Sequence, residues 1–102
     1  MGNGFAQEQD PIVAGVGEAA DRCASLGIDF SPTVLQQAEA MVRGTIGELG
    51  QPSPLAINLF SQVVTTATLA RSVNAEPDLG YEEIMSFGSG MRALMNSWWH
   101  EL

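Results

Sequence analysis

The stretch from residue 53 to residue 73, SPLAINLFSQVVTTATLARSV, decides the fold predicted for this chain. Arg71 is its only charged residue, and its apolar side chains are spread around the whole helical wheel. A helix that is apolar on most sides is normally buried. Ser53 and Pro54 form a typical helix start, because a capping hydroxyl precedes a proline in the first turn. The sequence therefore predicts a buried helix over residues 54–73.

A β-branched cluster inside this stretch permits a second interpretation. Residues 63–66 read Val-Val-Thr-Thr, a composition that is also typical of a β-strand. The length of the whole stretch and its start signal favour the helix over the strand. If this segment were extended or exposed to solvent, the predicted bundle, its contact surface and its proposed role would all be wrong.

Three further helices are predicted around this one. The start signal recurs as Asp-Pro at residues 10–11 and as Ser-Pro at residues 31–32, and Asp78 is expected to cap the fourth helix. Gly27 and Gly50 follow the first two helices, where a glycine in the left-handed conformation commonly ends a helix. The predicted helices cover residues 11–26, 32–49, 54–73 and 79–100.

Length and composition indicate one globular domain. The chain has 102 residues, of which 45% are hydrophobic and 16% charged. Amphipathic helices joined by short connections pack together as a bundle. The prediction is an all-α fold, a compact four-helix bundle with a buried third helix. Residues 1–9 are predicted to be a flexible N-terminal tail, and residues 10–102 a single helical domain.

The charge balance restricts the classes of partner. Acidic residues outnumber basic residues by 12 to 4, which gives a formal net charge of −8. Lysine is absent, so neither a Schiff base nor the lysine of a phosphate-binding loop is available. Phosphate backbones are bound by clusters of Lys and Arg, so direct nucleic-acid binding is not expected. The same charge favours a protein partner with a basic surface.

The residue types that usually carry catalysis are scarce. Cys23 and His100 are the only cysteine and the only histidine. A thiol on the apolar stripe of a helix is usually a packing residue, and a histidine in the last turn of a helix is favoured by the helix dipole. We therefore expect no enzyme activity, no cofactor and no metal site. An enzyme or small-ligand carrier with a pocket inside the bundle is the hypothesis that these residues favour least.

The sequence also predicts the cellular compartment of the protein. No apolar run reaches the length of about 18 residues that a membrane-spanning helix requires, and no signal-peptide pattern opens the chain. A lone cysteine forms no internal disulfide bond. We therefore expect a cytoplasmic protein without membrane attachment.

Two groups of residues are predicted to contact a partner. The first group is acidic and lies at the start of the fourth helix, where helix capping is the simpler explanation and the ligand spacing of a calcium loop is lacking. The second group contains two adjacent tryptophans, which point about 100° apart on a helix and therefore cannot both fill one core position. The predicted contact residues are Glu76, Asp78, Glu82, Glu83, Met95, Trp98 and Trp99.

The predicted function is that of a small acidic, non-enzymatic binding protein that acts through protein–protein interaction. One version is an inhibitor of the phage or mobile-element type that blocks a basic nucleic-acid-binding surface of a larger assembly. The alternative is a homodimeric structural or adaptor protein, because the fourth helix carries a second apolar stripe. The residues predicted for that dimer interface are Tyr81, Met85, Gly88 and Arg92.

Glycines and arginines give further expectations about packing. A glycine inside a helix usually reports a close approach of two backbones, within the fold or between subunits, and paired glycines are also able to bend a helix. Arg22 and Arg43 each follow a glutamate by four residues, which favours an ion pair within the helix. Arg71 and Arg92 lack such a partner and are expected to pair across helices. The glycines concerned are Gly15, Gly17, Gly44, Gly47, Gly88 and Gly90.

Overall fold

The computed structural model describes residues 10–100, which form four α-helices and no β-strand. Short 3₁₀ segments, Ile46–Leu49 and Asn96–Trp99, follow the second and fourth helices. The predicted all-α four-helix fold is confirmed, and the strand interpretation of residues 63–66 is wrong. The predicted tail, residues 1–9, lies outside the described residues. The helices are Pro11–Ser25 (α1), Pro32–Thr45 (α2), Pro54–Val73 (α3) and Tyr81–Met95 (α4).

The helix boundaries largely follow the predicted signals. Asp10 and Ser53 each accept a hydrogen bond from an amide N–H in the first turn of their helix, at 2.9 and 3.2 Å. Ser31 makes no such bond, so α2 begins with its proline but without a side-chain cap. Gly27 and Gly50 adopt φ values of +82° and +84°. These left-handed glycines end the first two helical segments, as predicted.

The fourth helix differs from its prediction at both ends. Its N-cap is Gly80 rather than Asp78, and the Glu83 carboxylate accepts a hydrogen bond from the Gly80 N–H at 3.2 Å. The helix continues through the glycines of residues 88–90 without interruption. It ends where Asn96 adopts φ +51° and ψ −113°. The chain therefore changes direction at Asn96 and not at the glycines.

The third helix is central to the core, as predicted. Phe60, Val64 and Leu69 on α3 are fully buried, and α3 contacts all three other helices. The Cα radius of gyration is 13.7 Å, close to the value of about 13 Å expected for a compact domain of about 100 residues. The core cluster consists of Ile12, Val16, Val42, Leu49, Ala56, Phe60, Val64, Leu79, Ile84 and Trp99.

Helix α1 packs very closely against α3 at Gly15. A Cβ atom at this position would lie 2.7 Å from the Ser61 Cβ and closer still to the Asn58 carbonyl oxygen. The close approach predicted for helical glycines is therefore confirmed at Gly15. Gly17 and Gly90 have no neighbouring atom within 4 Å of such a Cβ. The same holds for Gly44 and Gly47.

A chain of side-chain hydrogen bonds runs along this α1–α3 contact. Arg22 donates to Gln62 Oε1 at 2.6 Å, and Gln62 Nε2 donates to Asn58 Oδ1 at 2.6 Å. Asn58 Nδ2 in turn donates to a Glu18 carboxylate oxygen at 3.0 Å. Both members of the expected Glu18–Arg22 ion pair therefore bind α3 instead of each other, and that predicted pair does not form.

The second expected pair is present and links α2 to the start of α1. Arg43 contacts Glu39 at 2.9 Å and Asp10 at 2.6 Å. The hydrogen bond from Arg43, together with the backbone N–H of Ile12, holds the pKa of the Asp10 carboxyl below its usual value. The Asp10 carboxylate therefore both caps α1 and fastens it to α2.

Helix α4 runs antiparallel to α3 and is fastened to it near both ends. Near one end, Arg71 forms an ion pair with Glu83, with Nη1 and Oε1 3.1 Å apart. Near the other end, the Ser53 hydroxyl donates to the Trp98 carbonyl oxygen at 2.9 Å. Helix α3 thus has two flanks. The one against α1 is closely packed, and we call it the closed flank; the one that faces α4 we call the open flank.

Candidate protein-binding groove

An open groove of about 650 Å³ lies between α3 and α4. Apolar side chains from both helices form most of its walls, and Arg22 from α1 and Gln62 from α3 also line it. The volume falls within the range of about 300–1,000 Å³ that is typical of ligand sites. The wall residues of α3 and α4 are Leu59, Val63, Thr66, Ala67, Phe87, Met91, Leu94 and Met95.

Apolar side chains remain exposed at this groove and in the segment that follows α4. Val63 on α3 is 38% exposed, Leu94 on α4 is 88% exposed and Trp98 in the following 3₁₀ segment is 59% exposed. Isolated exposed apolar residues are normal, but a contiguous exposed apolar patch marks an interaction surface. The groove with its exposed wall residue Leu94 forms such a patch, which we call the apolar face.

The α4 wall is made of side chains that change shape easily. Met91 and Met95 are partly buried beside Phe87. Methionine is unbranched and polarizable, so it adapts to partners of different shape and is common on surfaces that bind helices. The apolar face is therefore able to accommodate side chains of more than one size.

The turn between α3 and α4 and the first turn of α4 are acidic. Glu76, Asp78 and Glu82 are exposed there and form no ion pair with any residue in the range 10–100. We call these three residues the acidic turn. The Gly80 N–H and then Arg71 hold the pKa of the Glu83 carboxyl below its usual value. Glu83 is thus engaged in fastening the helices, whereas the acidic turn is free to attract a cation.

The two predicted tryptophans have opposite positions. Trp99 is fully buried, its indole N–H donates to the Leu49 carbonyl oxygen at 2.7 Å, and its carbonyl accepts from the Ser53 N–H at 2.5 Å. The predicted partner contact at Trp99 is therefore corrected, because the turn at Asn96 directs this ring into the core. Trp98 stays exposed.

The residues predicted for a dimer interface do not share one exposed surface. Tyr81 is 54% exposed, and Arg92 is exposed and forms no ion pair with the described residues. Met85 is partly buried against the core. Gly88 is buried, and a Cβ there would lie 2.9 Å from a Leu49 methyl carbon. Gly88 is corrected to an intramolecular packing position.

The arginine expectations have two different outcomes. Arg71 pairs with Glu83 across α3 and α4, as predicted, and it also donates to the Pro77 carbonyl oxygen at 3.3 Å. The cross-helix partner expected for Arg92 is not found among residues 10–100. Arg71 therefore joins the end of α3 to both the turn and the start of α4.

The reactive side chains lie apart from the groove. Cys23 is buried in α1, as its place on the apolar stripe predicted. His100 is exposed, with Nδ1 3.3 Å from the Gln51 carbonyl oxygen. Between residues 10 and 100, no group of three or more His, Cys, Asp or Glu side chains is placed to hold a metal ion. None of the helices in this range has the length and apolar character needed to cross a bilayer.

Sequence reasoning anticipated only Met95 among the groove residues. The second apolar stripe predicted on the fourth helix consists of Tyr81, Met85, Gly88, Met95, Trp99 and Leu102, whereas the wall residues Phe87, Met91 and Leu94 belong to the first stripe. The contribution of Val63 and Ala67 was missed, because a helix that is apolar all round was predicted to be covered all round. The exposed Val63 shows that one strip of α3 is left open.

No protein-family model, curated protein or solved structure matches this chain. The groove and the net charge of the chain are therefore the observations that bear on function.

Proposed function

We propose that this chain is a small acidic, non-enzymatic binding protein that acts through protein–protein interaction at the apolar face. The groove between α3 and α4 is the observation that carries this proposal. It is lined by Leu, Val, Phe and Met side chains, of which Leu94 is 88% exposed. A partner that covers this face would remove apolar surface from water, at about 25 cal/mol per Å² of area buried.

The charge of the chain supports a partner with a basic surface. The formal net charge is −8, and the acidic turn forms no ion pair with any residue of the described part of the chain. Opposite charge on a partner speeds encounter and fixes orientation. A nucleic-acid-binding surface of a larger assembly has this charge, so blocking such a surface is one form of the proposed function.

Two matched variants test the proposal. Val63 in the groove and Val13 on α1 are 38% and 42% exposed, so Val63→Asp and Val13→Asp add the same charge at similarly exposed helical positions. The immobilised protein and both variants are incubated with a lysate of the source organism, and retained proteins are identified by mass spectrometry. We expect a retained protein with a basic surface that is lost with Val63→Asp and kept with Val13→Asp.

Circular dichroism of both variants checks that they remain helical. Equal retention by the two variants contradicts the proposal, because the groove would then make no contact. Light scattering addresses the homodimer alternative. A stable dimer in which Val63→Asp dissociates the subunits would replace a heterologous partner by a second copy of the chain.

A further inference from the structure

We infer that the groove between α3 and α4 binds a small monocarboxylate with an alkyl chain, of the fatty-acid class, with its carboxylate on the Arg22 guanidinium. The inference goes beyond the proposed function, because it names a small ligand for this groove. It joins two features of the same site, the apolar walls and the single charged side chain.

The charge inside the groove is positive. Arg22 is the only charged residue among the described residues that line it, and Gln62 and Thr66 are the only uncharged polar ones. All other lining side chains are aliphatic, aromatic or thioether groups. A carboxylate binds the planar guanidinium of arginine through two parallel N–H···O bonds. The groove therefore offers apolar contact over most of its surface and one point that favours a negative charge.

Arg22 is available to an anion because its expected acidic partner binds elsewhere. Glu18 lies one turn before Arg22 on α1, but its carboxylate accepts a hydrogen bond from Asn58 Nδ2 at 3.0 Å. Arg22 Nη2 donates to the neutral Gln62 Oε1 at 2.6 Å. No ion pair joins Arg22 to any residue in the range 10–100. Arginine carries several N–H donors, so this one bond leaves most of the guanidinium free for an external carboxylate.

The polar and apolar parts of the groove lie on different walls. Gln62 Nε2 donates to Asn58 Oδ1 at 2.6 Å, so the amide that binds Arg22 is itself held in place on the α3 side. The α4 wall contributes Phe87, Leu94 and two methionines and no polar side chain. Polarity therefore changes across the groove, which suits a ligand that has one charged end and one apolar part.

The size of the groove suits a small amphiphile. Its volume is about 650 Å³, inside the range of about 300–1,000 Å³ that small-molecule sites occupy. Residues 59–67 of α3 line it over about 12 Å of helix, a length comparable to that of an extended decanoate. Met91 and Met95 adapt their shape readily, so they are able to follow a flexible alkyl chain.

Other occupants fit these observations less well. A wholly apolar ligand would cover the Arg22 guanidinium without giving it an anion, and burial of an unpaired charge is costly. A cationic ligand would meet a like charge at the same place. A second copy of the chain would bring another net charge of −8 to a molecule that already carries −8.

Matched amphiphiles test the inference on the 102-residue chain. The probe is decanoate, and the controls are decanol, which lacks the charge, and decyltrimethylammonium, which reverses it, all below their micelle concentrations. Nonspecific attraction to a net charge of −8 favours the cation, so a preference for the anion requires a local positive site. Binding is followed by NMR of the isotope-labelled protein. We expect decanoate to bind at least about fivefold more tightly than either control and to weaken as salt is added.

Three variants locate the ligand, and circular dichroism checks that each remains helical. Arg22→Gln is expected to weaken decanoate binding at least about fivefold. Arg92→Gln removes the same charge from an exposed arginine outside the groove and should leave the affinity unchanged. Gln62→Glu keeps the guanidinium but gives it an internal carboxylate, so it should weaken decanoate as Arg22→Gln does. We expect nuclear Overhauser contacts between the alkyl chain and the methyl groups of Met91 and Met95.

Several results would overturn the inference. They are no saturable binding of decanoate, equal affinity for decanoate and decanol, tighter binding of decyltrimethylammonium, and equal affinities in Arg22→Gln and Arg92→Gln. If decanoate fails to bind while Val63→Asp abolishes capture of a protein partner, the ligand is wrong and the proposed function stands. If decanoate binds at Arg22 while Val63→Asp leaves capture unchanged, the ligand stands and the proposed function fails.

Discussion

The two flanks of α3, one facing α1 and the other facing α4, are packed in different ways. Towards α1, Gly15 lets the backbones touch, and a chain of hydrogen bonds from Arg22 to Glu18 runs along the contact. Towards α4, Phe87 and Met91 line an open groove, and the helices are joined near their ends. On the closed flank Gly15 allows α1 and α3 to pack closely, whereas on the open flank the larger side chains of Phe87 and Met91 line a groove. One rigid helix thereby serves as both the centre of a core and the wall of a binding site.

The largest expected effect concerns the end of the open flank. Trp99→Ala removes a fully buried ring and leaves the Leu49 carbonyl without its indole donor. We expect the free energy of unfolding to fall by about 4 kcal/mol. Trp98→Ala, at an exposed position, is expected to change it by less than about 0.5 kcal/mol. Urea denaturation measures both, and equal losses would show that Trp98 also supports the core.

A somewhat smaller loss is expected on the closed flank. Gly15→Ala places a methyl group against the α3 backbone, which has no room to move away. We expect a loss of about 3 kcal/mol by denaturation. Gly17→Ala, two residues along and free of neighbours, is expected to gain about 0.5 kcal/mol from helix propensity. If Gly15→Ala also stabilised the protein, α1 and α3 would not be in backbone contact.

A buried hydroxyl near the closed flank provides a substitution that is expected to increase the free energy of unfolding. Thr65 lies one turn beyond Ser61, and its Oγ1 is the one buried side-chain polar atom without a hydrogen-bond partner among the described residues. We expect Thr65→Val to raise the free energy of unfolding by about 1 kcal/mol. Thr68 donates to the Val64 carbonyl oxygen at 2.7 Å, so Thr68→Val should give no gain. A loss in Thr65→Val would indicate a partner for this hydroxyl, such as a buried water.

The smallest expected effect is a dependence of the free energy of unfolding on pH. It arises from the ion pair of Glu83 with Arg71, which joins α4 to α3. The pKa of Glu83 is lowered, so its contribution to stability is complete above the ordinary carboxyl value of 4.5 and is lost as the pH falls through the folded-state pKa. Glu83→Gln should flatten the acid side of a plot of unfolding free energy against pH. Glu82→Gln removes the same charge from the neighbouring position without touching Arg71, and should keep the acid-induced loss. Identical profiles for the two variants would mean that the Arg71 pair adds nothing to stability.

Local signals made much of the fold predictable. A capping side chain before a proline, or a glycine after an apolar run, acts within a few residues, so the starts of three helices and the glycines Gly27 and Gly50 were read correctly. The Glu18–Arg22 pair failed for a tertiary reason. Both side chains found amide partners on α3, and spacing along one helix contains no information about a neighbouring helix.

The site was harder to predict than the fold. The apolar composition of α3 indicated burial, but composition does not say which strip of a helix a neighbour leaves uncovered. The positions of Trp98 and Trp99 depend on the backbone of Asn96, whose positive φ is unusual for a residue other than glycine. A helical wheel that continues past residue 95 therefore assigns the two rings wrongly.

Because the chain changes direction at Asn96, Trp98 and Trp99 are fluorescence reporters of two different events. Trp99, shielded from water, should emit at short wavelength and respond only when the fold opens. Trp98, in contact with water, should emit at longer wavelength and be quenched by dissolved iodide until something covers it. A partner that covers Trp98 and denaturation are therefore distinguishable in one unlabelled sample, by emission wavelength and by quencher access.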